Sequence, residues 1–239
     1  MAVIQIKKLL GQMRRAINDY EMIKTGDKIC VGVSGGKDSL TLLALLAQTR
    51  RYYPEKFELE AVTLTMGLDD PDLSGARDFC AKLGVNYTVH ETQIAQIVFE
   101  ERKEENPCSL CANMRRGALH SVAKELGCNK VALGHHRDDV LETFMMSTFY
   151  EGRLHTFSPV TYLDRMDLHL IRPMIYIEEK DIKRLVKDGK ICPVPKTCRI
   201  DGHTNREYFK DLLHEMQQKN HDVKNILFGA IRRAGKDGW

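Results

Sequence analysis

The sequence predicts an α/β fold in which helices flank a parallel β-sheet. From residue 28 onward, short runs rich in β-branched residues alternate with segments whose apolar residues recur at helical spacing. Such alternation is typical of βαβ units, whose right-handed crossovers bury a parallel sheet between helices. The predicted strands are residues 28–33, 58–65, 86–90 and 130–134, and the predicted helices between them are residues 40–50, 72–83 and 114–126.

Both ends of the chain are predicted to be helical. Residues 1–24 have the apolar spacing of an amphipathic helix, with basic residues away from the apolar face. After Tyr150 a proline-punctuated stretch precedes further helical patterns. We therefore expect an N-terminal amphipathic helix over residues 1–24, a central α/β domain over residues 25–200 and a helical C-terminal extension over residues 201–239.

Composition and hydropathy indicate a globular protein. The 239 residues are 43% hydrophobic and 29% charged, with 17 Gly and 7 Pro, which argues against a disordered or collagenous chain. The 36 Lys+Arg and 33 Asp+Glu leave a net charge of +3, which is too small to indicate a partner. No apolar stretch reaches the ~20 residues that cross a bilayer, and the N-terminus lacks the apolar segment of a signal peptide. We expect a cytoplasmic protein that does not contact a membrane.

Seven cysteines are present, and an odd number cannot all pair in disulfides within one chain. In the reducing compartment that we expect, structural disulfides are disfavoured. Cys30 lies in a predicted strand, and Cys80 and Cys128 lie in helical or turn contexts, where a cysteine usually acts as a small buried hydrophobe. The remaining four are candidates for a metal or redox site: Cys108, Cys111, Cys192 and Cys198.

A glycine-rich turn connects the first predicted strand to a helix, in the segment CVGVSGGKDSLTLLALL. Gly35 and Gly36 let the backbone approach an anion closely, and the first amides of the helix point at it with the positive end of the helix dipole. The turn is not a Walker A loop, because it is one residue too short and Lys37 is followed by Asp38 instead of Ser or Thr. Polyphosphate would repel this carboxylate unless a cation lay between them, so Asp38 indicates bound Mg²⁺.

The string SGGKDS after an apolar strand resembles the pyrophosphate loop of the PP-loop ATPases, which split ATP into AMP and pyrophosphate. The resemblance implies a Rossmann-like fold of the adenine nucleotide alpha hydrolase type and a reaction in which a substrate oxygen attacks the α-phosphate. It also implies that the loop binds ATP through Ser34, Gly35, Gly36, Lys37, Asp38 and Ser39. Because ligands bind beyond the carboxyl ends of parallel strands, we expect Thr65, Gly134 and His135 to lie around the nucleotide as well.

The longest motif lies in residues 106–143, where the C-x-x-C pair Cys108 and Cys111 precedes a helix whose dipole would stabilise their thiolates. C-x-x-C alone is shared by redox, zinc and iron–sulfur sites. The extended pattern CSLC-x-x-x-RRG-x-L, followed by ALGHHRDD, resembles the tRNA 2-thiocytidine synthetases, the TtcA family. This resemblance covers residues 27–206, with the motifs in the family's order.

The resemblance implies an ATP-dependent tRNA sulfurtransferase that adenylates C2 of an anticodon-loop cytidine, at position 32, and replaces its oxygen with sulfur. It also implies a [4Fe-4S] cluster with three cysteine ligands, two from the C-x-x-C pair and one from a later segment. For the third ligand we favour Cys198 over Cys192, since CRIDGHTNRE resembles the family variant C-x-x-D-G-x-T-x-R. Three cysteines leave one iron able to hold the sulfide that is delivered to tRNA.

Three side chains are the candidates for catalysis, namely Asp38, Asp139 and Arg115. In GHHRDDVLET, Asp139 with Glu142 three residues later fits a helix-capping arrangement. The resemblance also places this motif over the nucleotide, where Asp139 is expected to act as a proton acceptor or cation ligand. Arg115, one helical turn beyond Cys111, is expected to face the cluster and steady the α-phosphate or the bound sulfide.

The expected partners are tRNA and a sulfur donor, either sulfide or a desulfurase system, and a homodimer is a possible assembly. The basic segments that suit RNA contact are residues 7–15, 180–190 and 231–236, although their mixed charges also suit an ordinary solvated face. The target base must leave its stack to meet ATP, which suits an anticodon-loop nucleotide.

Two alternatives stay open at this point. The first is a PP-loop enzyme for another substrate: a sulfurtransferase acting on another tRNA base or a small molecule, or a lysidine-type ligase, whose chemistry does not require C-x-x-C. The second is a zinc-stabilised module that binds RNA or nucleotides, in which four cysteines complete a tetrahedral zinc site: Cys108, Cys111, Cys192 and Cys198. The complete SGGKDS loop disfavours this second alternative.

Overall fold

Six strands form one sheet in the part of the chain that the computed structural model describes. The structure describes residues 2–67, 72–102, 107–189, 191, 193 and 205–239, with side chains from Ile6 onward. The strands are β1 (Lys28–Gly32), β2 (Glu58–Leu64), β3 (Asn86–His90), β4 (Lys130–Ala132), β5 (Val160–Leu163) and β6 (Leu168–Ile171). Their order across the sheet is β3-β2-β1-β4-β6-β5, and all neighbours are parallel except β5 and β6.

Helices connect and flank these strands. Within the described segments they are α1 (Ala2–Asp19), α2 (Lys37–Tyr52), α3 (Ser74–Leu83), α4 (Ile94–Gln96, followed by a π-helical turn over Ile97–Glu101), α5 (Pro107–Glu125), α6 (Arg137–Glu151), α7 (Glu179–Lys187), α8 (Asn205–Lys219) and α9 (Val223–Ala234). The predicted α/β class is confirmed: the four predicted strands are β1 to β4, and the three predicted helices correspond to α2, α3 and α5.

The β5–β6 hairpin is not predicted by the sequence pattern. Its connection carries neither Asn-Gly nor Asp-Gly, the dipeptides that most strongly indicate a tight hairpin turn. The left-handed conformation that the turn needs is adopted by Asp167, with φ at 47°. The hairpin adds an antiparallel edge to a sheet that is otherwise parallel.

Helix α5 begins at Pro107, well before the predicted start at residue 114. Proline suits the first position of a helix, because its missing amide hydrogen would have no intrahelical partner there. The C-x-x-C motif therefore lies in the first turn of α5 rather than in a loop before it.

The two faces of the sheet bury different sets of side chains. On one face, Cys30, Val62, Val131 and Leu170 pack with Leu119 of α5. The opposite face carries a larger cluster to which α1, α2, α6 and α7 contribute. Successive strand residues alternate between these faces, as the period of a β-strand requires.

The helices at both ends of the chain belong to the larger cluster. Met13 and Ile17 of α1, Phe209 of α8 and Phe228 of α9 are buried in it. The hydrophobic core is therefore continuous across the three predicted parts of the chain, and the boundaries between those parts stay a prediction. Among the described residues, no helix combines the length and the apolar character that crossing a bilayer requires.

Candidate active site

The carboxyl edge of the sheet brings together the segments that carry the predicted site. Strands β1, β2, β4 and β6 run parallel, so the residues that follow them lie along one edge. These residues include Ser34, Thr65, Gly134 and Arg172. Parallel sheets bind ligands beyond this edge, so the geometry suits the predicted nucleotide contacts.

The loop between β1 and α2 is held by hydrogen bonds among its own residues. The Ser34 amide donates to Ser39 Oγ (3.2 Å), the Gly36 amide donates to Ser34 Oγ (3.4 Å), and Ser39 Oγ donates to the Gly36 carbonyl (3.0 Å). Gly35 has φ at 73°, a conformation that residues with a side chain rarely adopt. Gly36 is the N-cap of α2 and offers no side chain to its first amides, which suits the binding of an anion.

Lys37 joins this loop to helix α7. Its ammonium lies 2.8 Å from Asp38 Oδ2 and 3.2 Å from Glu179 Oε1. Burial disfavours the charge on Lys37, but the two carboxylates outweigh burial and raise its pKa. Burial likewise favours neutral Glu179, but its contacts with Lys210, Lys183 and Lys37 lower the pKa of Glu179 to about 2. Lys37 is therefore a firmly held cation at the head of α2.

Gly134 packs against the first turn of α2. A Cβ atom at Gly134 would lie 3.3 Å from the carbonyl carbon of Asp38 and 3.4 Å from the amide nitrogen of Ser39. The backbone after β4 is thus in direct contact with the loop of residues 34–39, which we call the phosphate loop. His136 also approaches the loop, with Nε2 3.8 Å from Asp38 Oδ1.

The predicted cap of α6, between Asp139 and Glu142, was wrong in its partners. The N-cap is His136, whose amide donates to Asp139 Oδ2 (2.9 Å) and whose Nδ1 accepts from the Asp139 amide (3.4 Å). The usual N-cap residues are Ser, Thr, Asp and Asn, but an unprotonated imidazole nitrogen can also accept a hydrogen bond. The reciprocal cap therefore forms one turn earlier, and it occupies one oxygen of Asp139.

Asp139 and Glu142 also face Arg206 of α8. Arg206 Nη1 lies 3.4 Å from Asp139 Oδ1, and Arg206 Nε lies 3.7 Å from Glu142 Oε2. Burial, together with the charge of Asp139, raises the pKa of Glu142 to about 7 against the opposing effect of Arg206. Asp139 thus has a structural role at the start of α6, and its catalytic role stays a prediction.

We expect Glu142→Gln to stabilise the chain at alkaline pH and to have little effect at about pH 5. The folded chain keeps the Glu142 proton up to a pKa of about 7, whereas the ordinary pKa is 4.5, so wild-type stability falls as pH rises between these values. Above this window the loss is about 3 kcal/mol, and a glutamine side chain does not incur it. Urea unfolding at about pH 5 and about pH 8 measures the difference.

The matched control for this prediction is Glu151→Gln. Glu151 is exposed on the same helix, so its replacement should leave the pH dependence of unfolding as it is in the wild type. If Glu142→Gln were less stable than the wild type at about pH 8, Arg206 would be shown to stabilise an ionised Glu142.

Thr65 and His135 are held in different ways. The Thr65 amide donates to the His90 carbonyl (3.0 Å), and its carbonyl accepts from Thr92 Oγ1 (2.6 Å). The His135 ring packs on Phe157 with centroids 4.6 Å apart, and its buried Nδ1 has no hydrogen-bond partner among the described residues. Burial lowers the pKa of His135 to about 4. His135 is therefore neutral at physiological pH.

The C-x-x-C pair lies on the first turn of α5. Cys108 is exposed and Cys111 is half-buried, and a spacing of three residues places both on one side of the helix. Arg115 is exposed, one turn beyond Cys111. Cys192 and Cys198 lie outside the described residues. Within the described part of the chain, no group of three His, Cys, Asp or Glu side chains is arranged to hold a metal ion.

Three cysteines are core residues, as predicted. Cys30 and Cys80 are fully buried and Cys128 is nearly so. Burial raises the pKa of Cys80 and of Cys128 to about 11, and that of Cys30 further still. These thiols stay protonated at neutral pH, so the three cysteines act as small buried hydrophobic residues of the core.

Asp138 is absent from the predicted site, yet it joins three helices next to it. Its carboxylate accepts a hydrogen bond from the Glu179 amide (2.7 Å) and another from Lys224 Nζ (2.7 Å), linking α6 to α7 and α9. Burial would raise the pKa of Asp138, but these two donors outweigh burial and lower it. The doubled aspartate in HHRDD was the signal available in the sequence, whereas both partners come from distant segments.

Several basic residues considered for RNA contact also take part in ion pairs within the fold. Lys8 lies 2.7 Å from Asp181, and both Arg15 and Arg232 approach Asp19, at 3.6 and 3.5 Å. The two exposed pairs with Asp19 are weak and can exchange for a phosphate, whereas the Asp181 carboxylate is buried and holds Lys8 more firmly. RNA contact through these residues stays a prediction.

Comparison with known proteins finds a consistent set of relatives. Residues 4–197 match the family described as a PP-loop domain. Curated relatives include tRNA-cytidine(32) 2-sulfurtransferases from Geobacter sulfurreducens, 36% identical over 95% of this chain and 90% of the relative, and from Syntrophotalea carbinolica, 38% identical over 95% and 88%.

Among solved structures, the chain is similar to the U34-tRNA thiolase NcsA from Methanococcus maripaludis with its [4Fe-4S] cluster. The TM-score is 0.80, and the match covers 98% of this chain and 80% of that chain. Only 24% of the residues are identical, so this likeness shows the fold alone.

Proposed function

Because this chain belongs to the PP-loop family of tRNA-cytidine(32) 2-sulfurtransferases, we propose that it uses ATP to replace the C2 oxygen of an anticodon-loop cytidine, at position 32 of tRNA, with sulfur. One observation supports this most directly: the strand that leads into the phosphate loop packs against the helix that carries the C-x-x-C pair. A Cβ atom at Gly32, the last residue of β1, would lie 2.9 Å from Leu119 of α5. The strand that leads into the phosphate loop therefore contacts the helix that begins with Cys108 and Cys111.

The proposed reaction has two steps. First, the C2 oxygen attacks the α-phosphate of ATP, the bond between the α- and β-phosphates breaks, and pyrophosphate leaves. A sulfur nucleophile then attacks C2, the C2–O bond breaks, and AMP leaves with the oxygen. The first amides of α2 and the Lys37 ammonium hold the polyphosphate and stabilise the charge that develops on the departing pyrophosphate.

Asp38 is the proposed ligand of Mg²⁺. Its carboxylate is one-third exposed at the head of α2 and already lies against a cation, Lys37. Carboxylate oxygens are ligands that Mg²⁺ prefers, so the residue fits the ion. When bound, Mg²⁺ would neutralise phosphate charge beside the loop. Asp139, whose Oδ2 is engaged by the His136 amide, is proposed to act at the same site through its other oxygen.

Cys108, Cys111 and Cys198 are the proposed ligands of a [4Fe-4S] cluster. The two cysteines on α5 fit this group, because both thiols lie on one side of a helix N-terminus, where the helix dipole stabilises thiolates. When bound, the cluster would hold, on the iron without a cysteine ligand, the sulfide that enters the base. Arg115 on the same helix is proposed to steady the α-phosphate or the sulfide.

The remaining parts of the proposal concern the surroundings of the reaction. We propose that tRNA is the macromolecular substrate, that sulfide or a desulfurase system renews the sulfur, and that the chain works in the cytoplasm as a homodimer. The cytosine must be unstacked to reach the carboxyl edge, which is least costly in a single-stranded loop.

The experiment that tests the proposed function is a reaction with defined components. The chain, prepared without oxygen, is incubated with unmodified tRNA, Mg²⁺ and sulfide, with or without ATP, and the nucleosides are analysed by mass spectrometry. We expect 2-thiocytidine at position 32 only when ATP is present, with one AMP formed for each sulfur transferred. Thiolated uridine would indicate another tRNA base as the substrate. AMP formation without any thionucleoside would point to a small-molecule substrate. If neither AMP nor a thionucleoside forms, the non-enzymatic alternative is favoured.

A further inference from the structure

Arg172 is a buried arginine without a counterion among the described residues. It follows β6 at the carboxyl edge of the sheet and is 7% exposed. Its Nη1 donates to two neutral groups, the Ser158 carbonyl (2.5 Å) and Thr161 Oγ1 (3.1 Å). Its Nε is buried and has no hydrogen-bond partner in the described part of the chain. A buried charge of this kind is unfavourable unless an anion pairs with it.

The surroundings of Arg172 are basic. Burial, together with the positive charge of Arg116 on α5, lowers the pKa of Arg172 to about 10. The guanidinium therefore stays protonated at neutral pH, although its neighbours repel its charge. It also lies over the Phe157 ring, 5.1 Å from the centroid, which helps to hold a cation but does not neutralise it.

Two further buried nitrogens, on side chains that neighbour Arg116 or Phe157, have no hydrogen-bond partner in the described residues. They are Nε2 of His120, one helical turn beyond Arg116, and Nδ1 of His135, whose ring packs on Phe157, the ring that Arg172 also contacts. Burial and Arg116 lower the pKa of His120. We call Arg116, His120, His135 and Arg172 the basic cluster. Buried polar groups are normally paired, so Arg172 Nε, which can only donate, indicates a missing ligand that accepts hydrogen bonds, and each imidazole nitrogen can donate to such a ligand in one of its two tautomers.

The basic cluster lies beside the phosphate loop. Gly134 contacts the backbone of Asp38, His135 follows Gly134, and Phe157 connects the His135 ring to the Arg172 guanidinium. On the other side, Arg116 belongs to α5, the helix that begins with C-x-x-C. A ligand held by the cluster would therefore lie between the phosphate loop and the C-x-x-C helix.

We propose that the basic cluster is a second oxyanion subsite that binds a phosphate group, with Arg172 as its main ligand. This inference rests on the proposed function, because both substrates of that reaction carry phosphates. A guanidinium presents paired donors that match the oxygens of a phosphate. The phosphate is either the α-phosphate of the nucleotide, where the bond to the base oxygen forms, or a phosphodiester of the tRNA next to the target base. In both cases Arg172 positions the base against the nucleotide.

The test uses Arg172→Met with Arg165→Met as its matched control. Arg165 lies in the turn before β6 and is exposed, so its loss should change neither folding nor binding. For each full-length chain, calorimetry gives the affinities for ATP, AMP and adenosine. Fluorescence anisotropy over a salt series gives the affinity for an anticodon stem-loop RNA. Thermal unfolding is followed without ligand.

If the α-phosphate is the ligand, Arg172→Met should weaken the binding of ATP and AMP about tenfold or more and leave the affinity for adenosine unchanged. If the RNA backbone is the ligand, the nucleotide affinities stay as in the wild type, RNA binding weakens about tenfold, and its salt dependence falls by roughly one phosphate contact. In both cases the unfolding temperature without ligand should change little, because loss of the hydrogen bonds to Ser158 and Thr161 is offset by removal of an unpaired buried charge.

Unchanged affinities for all four ligands would overturn the proposal. A lower unfolding temperature with unchanged affinities would do the same, since it would show that Arg172 serves the fold through its hydrogen bonds to Ser158 and Thr161 and not a ligand. If Arg172→Met does not fold, the same affinities are measured for Arg116→Met, which changes an exposed residue of the basic cluster. The affinity of this variant for ATP or for the stem-loop RNA should fall severalfold, and unchanged affinities for both would contradict the proposal.

Failure of this inference and failure of the proposed function are distinguishable. A wild-type chain that makes no 2-thiocytidine contradicts the proposed function, whereas its affinities for ATP and AMP still report on Arg172. A wild-type chain that makes 2-thiocytidine, but whose Arg172→Met variant binds every ligand normally, contradicts only the oxyanion subsite.

Discussion

Replacement of Lys37 by methionine is expected to slow the formation of AMP and pyrophosphate by about 10²–10³-fold. The Lys37 ammonium is held at the head of α2 by Asp38 and Glu179, at 2.8 and 3.2 Å, which places it where the phosphate loop would hold a polyphosphate. Without it, Asp38 would face the phosphates with one cation fewer. Release of radiolabelled pyrophosphate during tRNA thiolation measures the effect.

Lys183→Met is the matched control for Lys37→Met. Lys183 pairs with the same carboxylate, Glu179, at 3.0 Å, but it is more exposed and lies on α7 away from the loop. Lys210 remains within 2.9 Å of Glu179 in both variants, so this carboxylate stays compensated and both chains should fold. At saturating tRNA, where a change in RNA affinity through residues 180–190 does not limit the rate, we expect Lys183→Met to react within about twofold of the wild type. Equal rates for the two variants would show that Lys37 does not act on the phosphates.

Replacement of Cys108 by serine is expected to abolish sulfur transfer and to reduce bound iron to less than about one atom per chain. Cys108 lies on the first turn of α5 with its side chain exposed, so the change should remove a cluster ligand without disturbing the core. Iron, acid-labile sulfide and zinc are measured on chains prepared without oxygen, together with 2-thiocytidine formation. ATP affinity should not change, because Cys108 lies outside the phosphate loop.

The third ligand is tested by the pair Cys198→Ala and Cys192→Ala. We expect Cys198→Ala to lose iron and Cys192→Ala to keep it, and the reverse result would exchange their roles. Cys128→Ala serves as a control for the loss of a thiol from the core. One zinc per wild-type chain and no iron would contradict the cluster and support the structural zinc site.

The strands that build the site could be predicted because their signals are local. Strands β1, β2 and β4 are short, largely apolar and buried runs bounded by turns, as in parallel strands covered on both faces, whereas the edge strand β3 was indicated by its β-branched and aromatic residues. The β5–β6 hairpin escaped prediction because its turn has no dipeptide that specifies it, and its position next to β4 depends on pairing across the sheet. The cap of α6 was misassigned for a different reason: His136 is not among the usual N-cap residues, although its Nδ1 accepts a hydrogen bond from the Asp139 amide.

The amino-acid sequence alone was sufficient for the α/β class, the phosphate loop from Ser34 to Ser39 and the C-x-x-C pair, because each is encoded in a short contiguous segment. Only the tertiary structure decided which charges meet: Glu179 with Lys37 at the loop, Asp138 with Lys224, and Arg172 with no carboxylate among the described residues. Burial and ion pairing join residues far apart in the chain, so no local pattern records them. For the same reason the basic cluster is visible only once β6 and α5 are placed side by side.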